Sequence, residues 1–177
     1  MFSRDEARSR AAQVRMMIFD VDGVLTDGSL HFGADGEFIK TFNVMDGQGI
    51  RLLQDAGIAT AIISARASAL VQRRASDLGI THVMQGAHDK RTAFEQLLTQ
   101  TRVLAQHCGF IGDDVIDLPI LLRTGFAVSV PGGHGEVRQR VHYVTTAQGG
   151  RGAVRELCDF ILHAQGKYAA ALAPYLS

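Results

Sequence analysis

The sequence predicts an α/β fold, a three-layer Rossmann-like parallel sheet with helices on both faces and a β-hairpin flap after the first strand. Three observations carry that expectation. From residue 46 onward, short apolar runs alternate with segments that are apolar at helical spacing, the pattern of strands joined by crossover helices. The first apolar run, Met16-Met17-Ile18-Phe19, ends abruptly in Asp20-Val21-Asp22-Gly23. A strand buried on both faces reads this way where it reaches the edge at which parallel sheets bind ligands. Three further strand ends also stop at polar residues: Ser64, the loop reaching Lys90, and Asp113-Asp114 with Asp117.

Taken in order, residues 3–14 are polar and predict a short N-terminal helix. Residues 16–20 form the first strand. Two partly alternating runs within 29–42 flank Gly33-Ala34-Asp35-Gly36, a hairpin signal. Asp46 and Gly47 open a helix that carries Ile50, Leu52, Leu53 and Ala56 and stops at Gly57. Residues 59–63 are a strand, 67–78 a helix, 82–85 a short strand and 90–101 a helix with Ala93, Phe94, Leu97 and Leu98 as its buried stripe. Residues 109–112 complete another strand. Residues 116–122 predict a helix with Pro119 in its first turns, where proline is tolerated. A strand at 126–130, a helix at 136–140 and a strand at 142–144 follow. The glycine-rich segment 149–152 leads into a helix with Val154, Leu157, Cys158, Ile161 and Leu162 at helical spacing. The whole chain, 1–177, reads as one domain, with 29–42 as a hairpin insertion and 149–177 as a C-terminal helix and tail.

Composition narrows the function classes. Eighteen basic residues balance eighteen acidic ones, so charge offers no argument for a nucleic-acid or anionic-membrane partner. Cys108 and Cys158 lie far apart without metal-ligand spacing and read as buried apolar residues of a reducing compartment. The first thirteen residues lack an apolar signal core, and no run approaches the roughly 18 apolar residues of a membrane span. The expectation is a cytoplasmic protein.

Asp20 and Asp22 are two apart in extended chain, and a bend at Gly23 lets both face one small space. Two anions so close call for a cation or a shared proton. Each feature also has a plain structural reading. The aspartates can cap a turn, Ser64 can cap the next helix, Lys90 can be a solvated lysine, and Asp113-Asp114 can be helix N-terminal acids. Four such coincidences at the ends of strands sharing one sheet edge are harder to accept. Phosphoryl transfer asks for this set: a carboxylate nucleophile, a carboxyl proton carrier, a metal held by oxygens, and a hydroxyl and an ammonium for the phosphoryl oxygens.

Asp20-Val21-Asp22-Gly23-Val24-Leu25-Thr26, Ser64, Lys90 and Gly112-Asp113-Asp114-Val115-Ile116-Asp117 resemble the four motifs of the haloacid dehalogenase superfamily of phosphohydrolases. Thr26-Asp27-Gly28, Phe42-Asn43-Val44, Asp46-Gly47, Leu78-Gly79-Ile80, Gln85-Gly86 and the segment 149–156 are similar to its subfamily of phosphatases acting on 3-deoxy-D-manno-octulosonate (KDO) 8-phosphate. The resemblance runs from about residue 15 to 167 and leaves no room for a large cap domain.

It implies Asp20 as nucleophile, Asp22 as general acid/base, and Mg²⁺ on the Asp20 and Asp113 side chains and the Asp22 backbone carbonyl. It also implies Ser64 and Lys90 on the phosphate, with Thr26, Asp114 and Asp117 in support. Arg66 and Arg74 would face a small sugar-acid phosphate substrate, and the family's place is lipopolysaccharide precursor synthesis. The hairpin would help build a homotetramer, so that the C-terminal tail, and Arg151 as a substrate contact, reach a neighbour's active site. Three positions depart from the family pattern: Ser64 stands where threonine is common and keeps the hydroxyl, Ala65 stands where glycine is common, and Met45 where a basic residue is. A phosphatase for a nine-carbon sugar-acid phosphate, or a phosphoacceptor receiver module, are the alternatives. The receiver reading fits less well, because a phosphoacceptor needs no proton carrier two residues on and carries its acidic pair early in the chain.

Overall fold

The computed structural model describes residues 2–176. In chain order its strands are β1 (Met16–Phe19), β2 (His31–Gly33), β3 (Gly36–Ile39), β4 (Ala59–Ile63), β5 (His82–Met84), β6 (Cys108–Ile111), β7 (Phe126–Ser129) and β8 (Tyr143–Val144). Six of them form one parallel sheet in the order β5-β4-β1-β6-β7-β8, and β2 and β3 pair separately as the hairpin. The chain runs outward from β1 through β4 to β5, then crosses back to β6 on the other side of β1. The order reverses beside β1, so a crevice opens there beyond the strands' carboxyl ends.

Alternation along the strands divides the core into two layers. Met17, Phe19, Ile62, Ile111, Phe126 and Val128 face one side; Met16, Ile18, Ala61, Ile63, Phe110 and Ala127 face the other. The first side is covered by α1 (Arg4–Ala11), α2 (Val44–Asp55), α3 (Ala69–Asp77) and α7 (Ala153–Ala164). The second is covered by α4 (Lys90–Thr101), α5 (Leu118–Leu121) and α6 (Gly135–Arg138). α2 lies against α7, and Gly49 permits the close approach: a Cβ there would stand 3.1 Å from the Arg155 Cα. Among the described residues no helix is long and apolar enough to cross a membrane. Cys108 and Cys158 are free and buried, and burial pushes the Cys108 thiol up to about 12.

Three elements differ from their sequence-based outlines. α2 starts at Val44 because the Asn43 side chain accepts the Met45 and Asp46 N–H groups and caps the helix. Asp46, read as the helix opener, instead reaches across to α7 and accepts the Arg155 N–H at 2.8 Å and the Gly152 N–H at 3.3 Å. The helix expected at 116–122 splits into a 3₁₀ turn, Val115–Asp117, and the short α5. Pro119, in the first turn of α5, has no N–H with which to continue the earlier turn. The tail folds into α8 (Tyr168–Leu172) and a 3₁₀ turn, Ala173–Tyr175. It lies on its own chain: the Tyr168 ring stacks on His163, and Tyr175 Oη accepts from Gln48 at 2.7 Å.

Candidate active site

The carboxyl edge on either side of β1 holds a cleft of about 220 Å³ lined by Asp20, Asp22, Ser64, Arg66, Lys90 and Asp113, with Asp114 and Ile116 at its rim. They come from four strand ends. Asp20 and Asp22 follow β1, Ser64 and Arg66 follow β4, Lys90 is the first residue of α4 after β5, and Asp113 follows β6. Gly23 turns the first loop with φ +85°, a conformation that disfavours residues with a side chain, and a Cβ there would stand 2.1 Å from Asp113 Oδ2. The same loop is clasped from inside by the buried Thr26, whose Oγ1 accepts the Gly23 and Gly28 N–H groups at 3.4 and 3.3 Å. Gly149 and Gly150 back it from outside: a Cβ on Gly149 would lie 1.8 Å from the Gly23 carbonyl oxygen. The glycine-rich segment thus allows two backbones to touch.

Lys90 organises the floor of the cleft. Its side chain is 1% exposed, with Nζ 3.0 Å from Asp20 Oδ1 and 2.5 Å from Asp117 Oδ1. The other Asp117 oxygen accepts the Asp113 and Asp114 N–H groups at 3.0 and 3.1 Å. Asp117 therefore orients Lys90 and the loop bearing Asp113, and Gly112 leaves space for its carboxylate. Asp114 is exposed and accepts the Val115 N–H.

Asp20, Asp113 and Asp117 offer carboxylate oxygens within 4.8 Å of one another. Burial first, then the Asp117 charge, pushes the Asp20 carboxyl up to about 7 against the pull of Lys90. Burial, with the charges of Asp117 and Asp114, pushes Asp113 up to about 7 as well. Burial works against the charge on Lys90, but Asp20 and Asp117 outweigh it and raise its pKa. Three acids around one ammonium leave a surplus of negative charge that a hard divalent cation relieves, and oxygen ligands suit Mg²⁺. The residues present fit such an ion. Asp117 already accepts from Lys90 and two N–H groups, which leaves Asp20 and Asp113 with more oxygen lone pairs to offer such an ion.

Two of the residues expected to contact substrate do not line this cleft. Arg74 sits beside it against α2, with Nη2 3.4 Å from the Asn43 carbonyl oxygen and its guanidinium over the Phe42 ring. Arg151 is 70% exposed, with its nearest acid, Asp27, at 3.7 Å. Two residues that sequence reasoning missed do reach the cleft's edge. Lys40 pairs with Asp22, and Glu37 lies between Lys40 and Arg66. A lysine at the end of a hairpin carries no motif, so only the fold reveals it. A larger hollow of about 670 Å³ lies between α1, β8 and α7. Its acids are already engaged, Glu156 with Tyr143 and Thr146 and Asp159 with Arg155.

A sequence model of the haloacid dehalogenase-like hydrolases matches residues 74–157. The KDO 8-phosphate phosphatase of Yersinia pestis is 46% identical over 141 residues, which are 80% of this chain and 75% of that protein. The crystal structure of a probable YrbI-family phosphatase from Pseudomonas syringae pv. phaseolica superposes with a TM-score of 0.95 at 46% identity, covering 98% of both chains. That of the Moraxella catarrhalis KDO 8-phosphate phosphatase, in complex with magnesium, phosphate and KDO, has a TM-score of 0.95 at 42% identity and covers 98% of this chain and 99% of that one. With this likeness extending over nearly its full length, the chain belongs to the haloacid dehalogenase-like hydrolases.

Proposed function

We propose that this chain is a Mg²⁺-dependent phosphomonoester hydrolase that converts KDO 8-phosphate to KDO and phosphate, in lipopolysaccharide precursor synthesis. The observation that carries the reading is one cleft joining Asp20, Asp22, Ser64, Lys90 and Asp113. The chain bearing it is 42% identical to a phosphatase whose structure holds magnesium, phosphate and KDO.

In this reading an Asp20 oxygen attacks phosphorus, and the bond from phosphorus to the sugar's C8 oxygen breaks. Asp22 gives its proton to the departing alkoxide. Asp22, now a carboxylate, takes a proton from water as that water attacks the aspartyl-phosphate. Phosphate leaves, and Asp20 and Asp22 return to their starting states. Lys90 has two of its three N–H donors on Asp20 and Asp117, which leaves one for a phosphoryl oxygen. The Ser64 hydroxyl supplies another donor. The Asp20 and Asp113 carboxylates and the Asp22 backbone carbonyl would hold Mg²⁺, whose charge offsets repulsion between Asp20 and the phosphate when it is bound.

The same reading extends to the assembly. Leu30, Phe32, Phe38 and Ile39 on the hairpin, with Val44 and Met45 beside it, are large apolar residues left exposed, more than scattered surface residues require. They support a homotetramer built on the hairpin, with Arg151 serving a neighbour's substrate. We place the protein in the cytoplasm and treat residues 1–177 as one domain. Release of phosphate from a panel of KDO 8-phosphate, nine-carbon sugar-acid 9-phosphates and simple sugar phosphates, with and without Mg²⁺, tests the activity. The expected result is Mg²⁺-dependent turnover greatest on KDO 8-phosphate. A preference for a nine-carbon substrate would replace the assignment. Sedimentation equilibrium tests the tetramer.

A further inference from the structure

The side chain of Lys40, just past β3, is only 2% exposed. It forms an ion pair with Asp22 Oδ1 and lies 3.1 Å from Glu37 Oε1. The other Glu37 oxygen accepts from Ser68 Oγ at 2.5 Å. Ser68 precedes α3 as its N-cap residue, yet its hydroxyl makes no bond to that helix. Arg66 faces both acids, with Nε 3.8 Å from Asp22 Oδ2 and Nη2 3.9 Å from Glu37 Oε1. A lysine is rarely buried without partners, because desolvating its ammonium is costly. Here two carboxylates receive it, one of them on the catalytic loop. The hairpin is thereby joined by charge to the loops after both β1 and β4.

We infer that Lys40 is a positioning residue for Asp22: it pins one carboxyl oxygen so that the other is presented to the departing oxygen of the phosphoester, while Glu37 holds Lys40 away from the phosphate. The inference rests on the phosphohydrolase reading. A carboxyl group free to turn would deliver its proton from varied positions, and a misplacement of about 1 Å costs about 100-fold in rate. The need for that proton depends on the leaving group. A sugar alkoxide is a poor leaving group and requires it; 4-nitrophenolate departs without it.

The test compares kcat/KM for KDO 8-phosphate and for 4-nitrophenyl phosphate, since this ratio reports only the steps up to the first irreversible one. Lys40→Met should lower the value for the sugar phosphate by about 100-fold and that for the aryl phosphate by less than about threefold. Lys40→Arg should recover most of the loss. Equal losses on both esters, or no loss on either, would overturn the positioning role. Glu37→Gln keeps Lys40 but weakens its hold, and should show the same one-sided loss at smaller size. Should Lys40→Met fail to fold, the comparison is decided on Glu37→Gln, where equal losses or none again overturn the role. Wild-type turnover of KDO 8-phosphate separates the two ideas. Its absence counts against the phosphohydrolase reading and the role of Lys40 with it, whereas its presence with a symmetric Lys40 effect counts against Lys40 alone.

Discussion

Asp20 and Asp22 are separated by a single residue, yet their surroundings differ. Asp20 is 5% exposed and bonded to Lys90, whereas Asp22 is half-buried and bonded to Lys40 from the hairpin. A carboxyl held against a buried ammonium is fixed in place for attack; one at the cleft's edge can exchange protons with a leaving group or water. Asp20→Asn should abolish phosphate release, because an amide oxygen does not form the acyl-phosphate. Asp22→Asn should lower turnover by about 10²–10⁴-fold, the usual worth of a positioned acid/base. Wild-type turnover in either variant would remove the role assigned to that residue. The motif residues were legible in the sequence because their chemistry is unusual at a strand end. Lys40 and Glu37 were not, since nothing local distinguishes a buried lysine from a solvated one.

At the scale of elements, the spacing of apolar residues located every strand and nearly every helix. Boundaries moved where a local cap or proline intervened, as at Asn43 and Pro119, and single residues changed role where side chains made distant bonds. Asp46 is the clearest case. A sequence reading treats an aspartate near a helix start as a local cap, but its carboxylate satisfies N–H groups at the start of α7, more than a hundred residues on. Gly152 precedes that helix with φ +102° and no side chain, so α7 has no cap of its own. Asp46→Ala should therefore destabilise the protein by about 1–3 kcal/mol, the cost of leaving buried donors without a partner. Leu157→Ala, in the fully buried stripe of α7, should cost about 2–5 kcal/mol. Denaturant melts of both variants check the pair. An Asp46→Ala loss near zero would mean that water replaces the carboxylate.

Across the whole molecule, the acidic centre links stability to pH and metal. Asp20 and Asp113 stand at about 7 in the folded metal-free chain, against an ordinary value of 3.8. Between those values the folded chain keeps protons that the unfolded chain has released, so these groups lower stability as pH rises through that window. His142 acts in the opposite direction. Burial, aided by the Arg10 charge, lowers it to about 4, and its Nδ1 accepts the Ala127 N–H. It therefore contributes stability that grows as pH rises from about 4 toward 6.5. The rise in melting temperature on adding Mg²⁺ cancels the His142 contribution and isolates the centre. Because the ion competes with protons for Asp20 and Asp113, that rise should be small at pH 5.5 and largest above pH 8. An increment independent of pH would separate the metal from these two carboxylates.

The alternation of apolar runs and the four polar strand ends were enough to specify a parallel α/β sheet and the residues facing its carboxyl edge. Burial on both faces of a sheet and the chemistry of a strand's end are written in neighbouring residues. Tertiary structure decided what depends on contacts between distant residues. It brought Lys90 between Asp20 and Asp117, turned Asp46 toward α7, placed Arg74 and Arg151 outside the cleft, and folded the tail onto α2. Above all it carried Lys40 under the hairpin to Asp22. The physical reason is that a charged side chain is buried only where a partner is waiting, and which partner waits is settled by the packing of the whole chain.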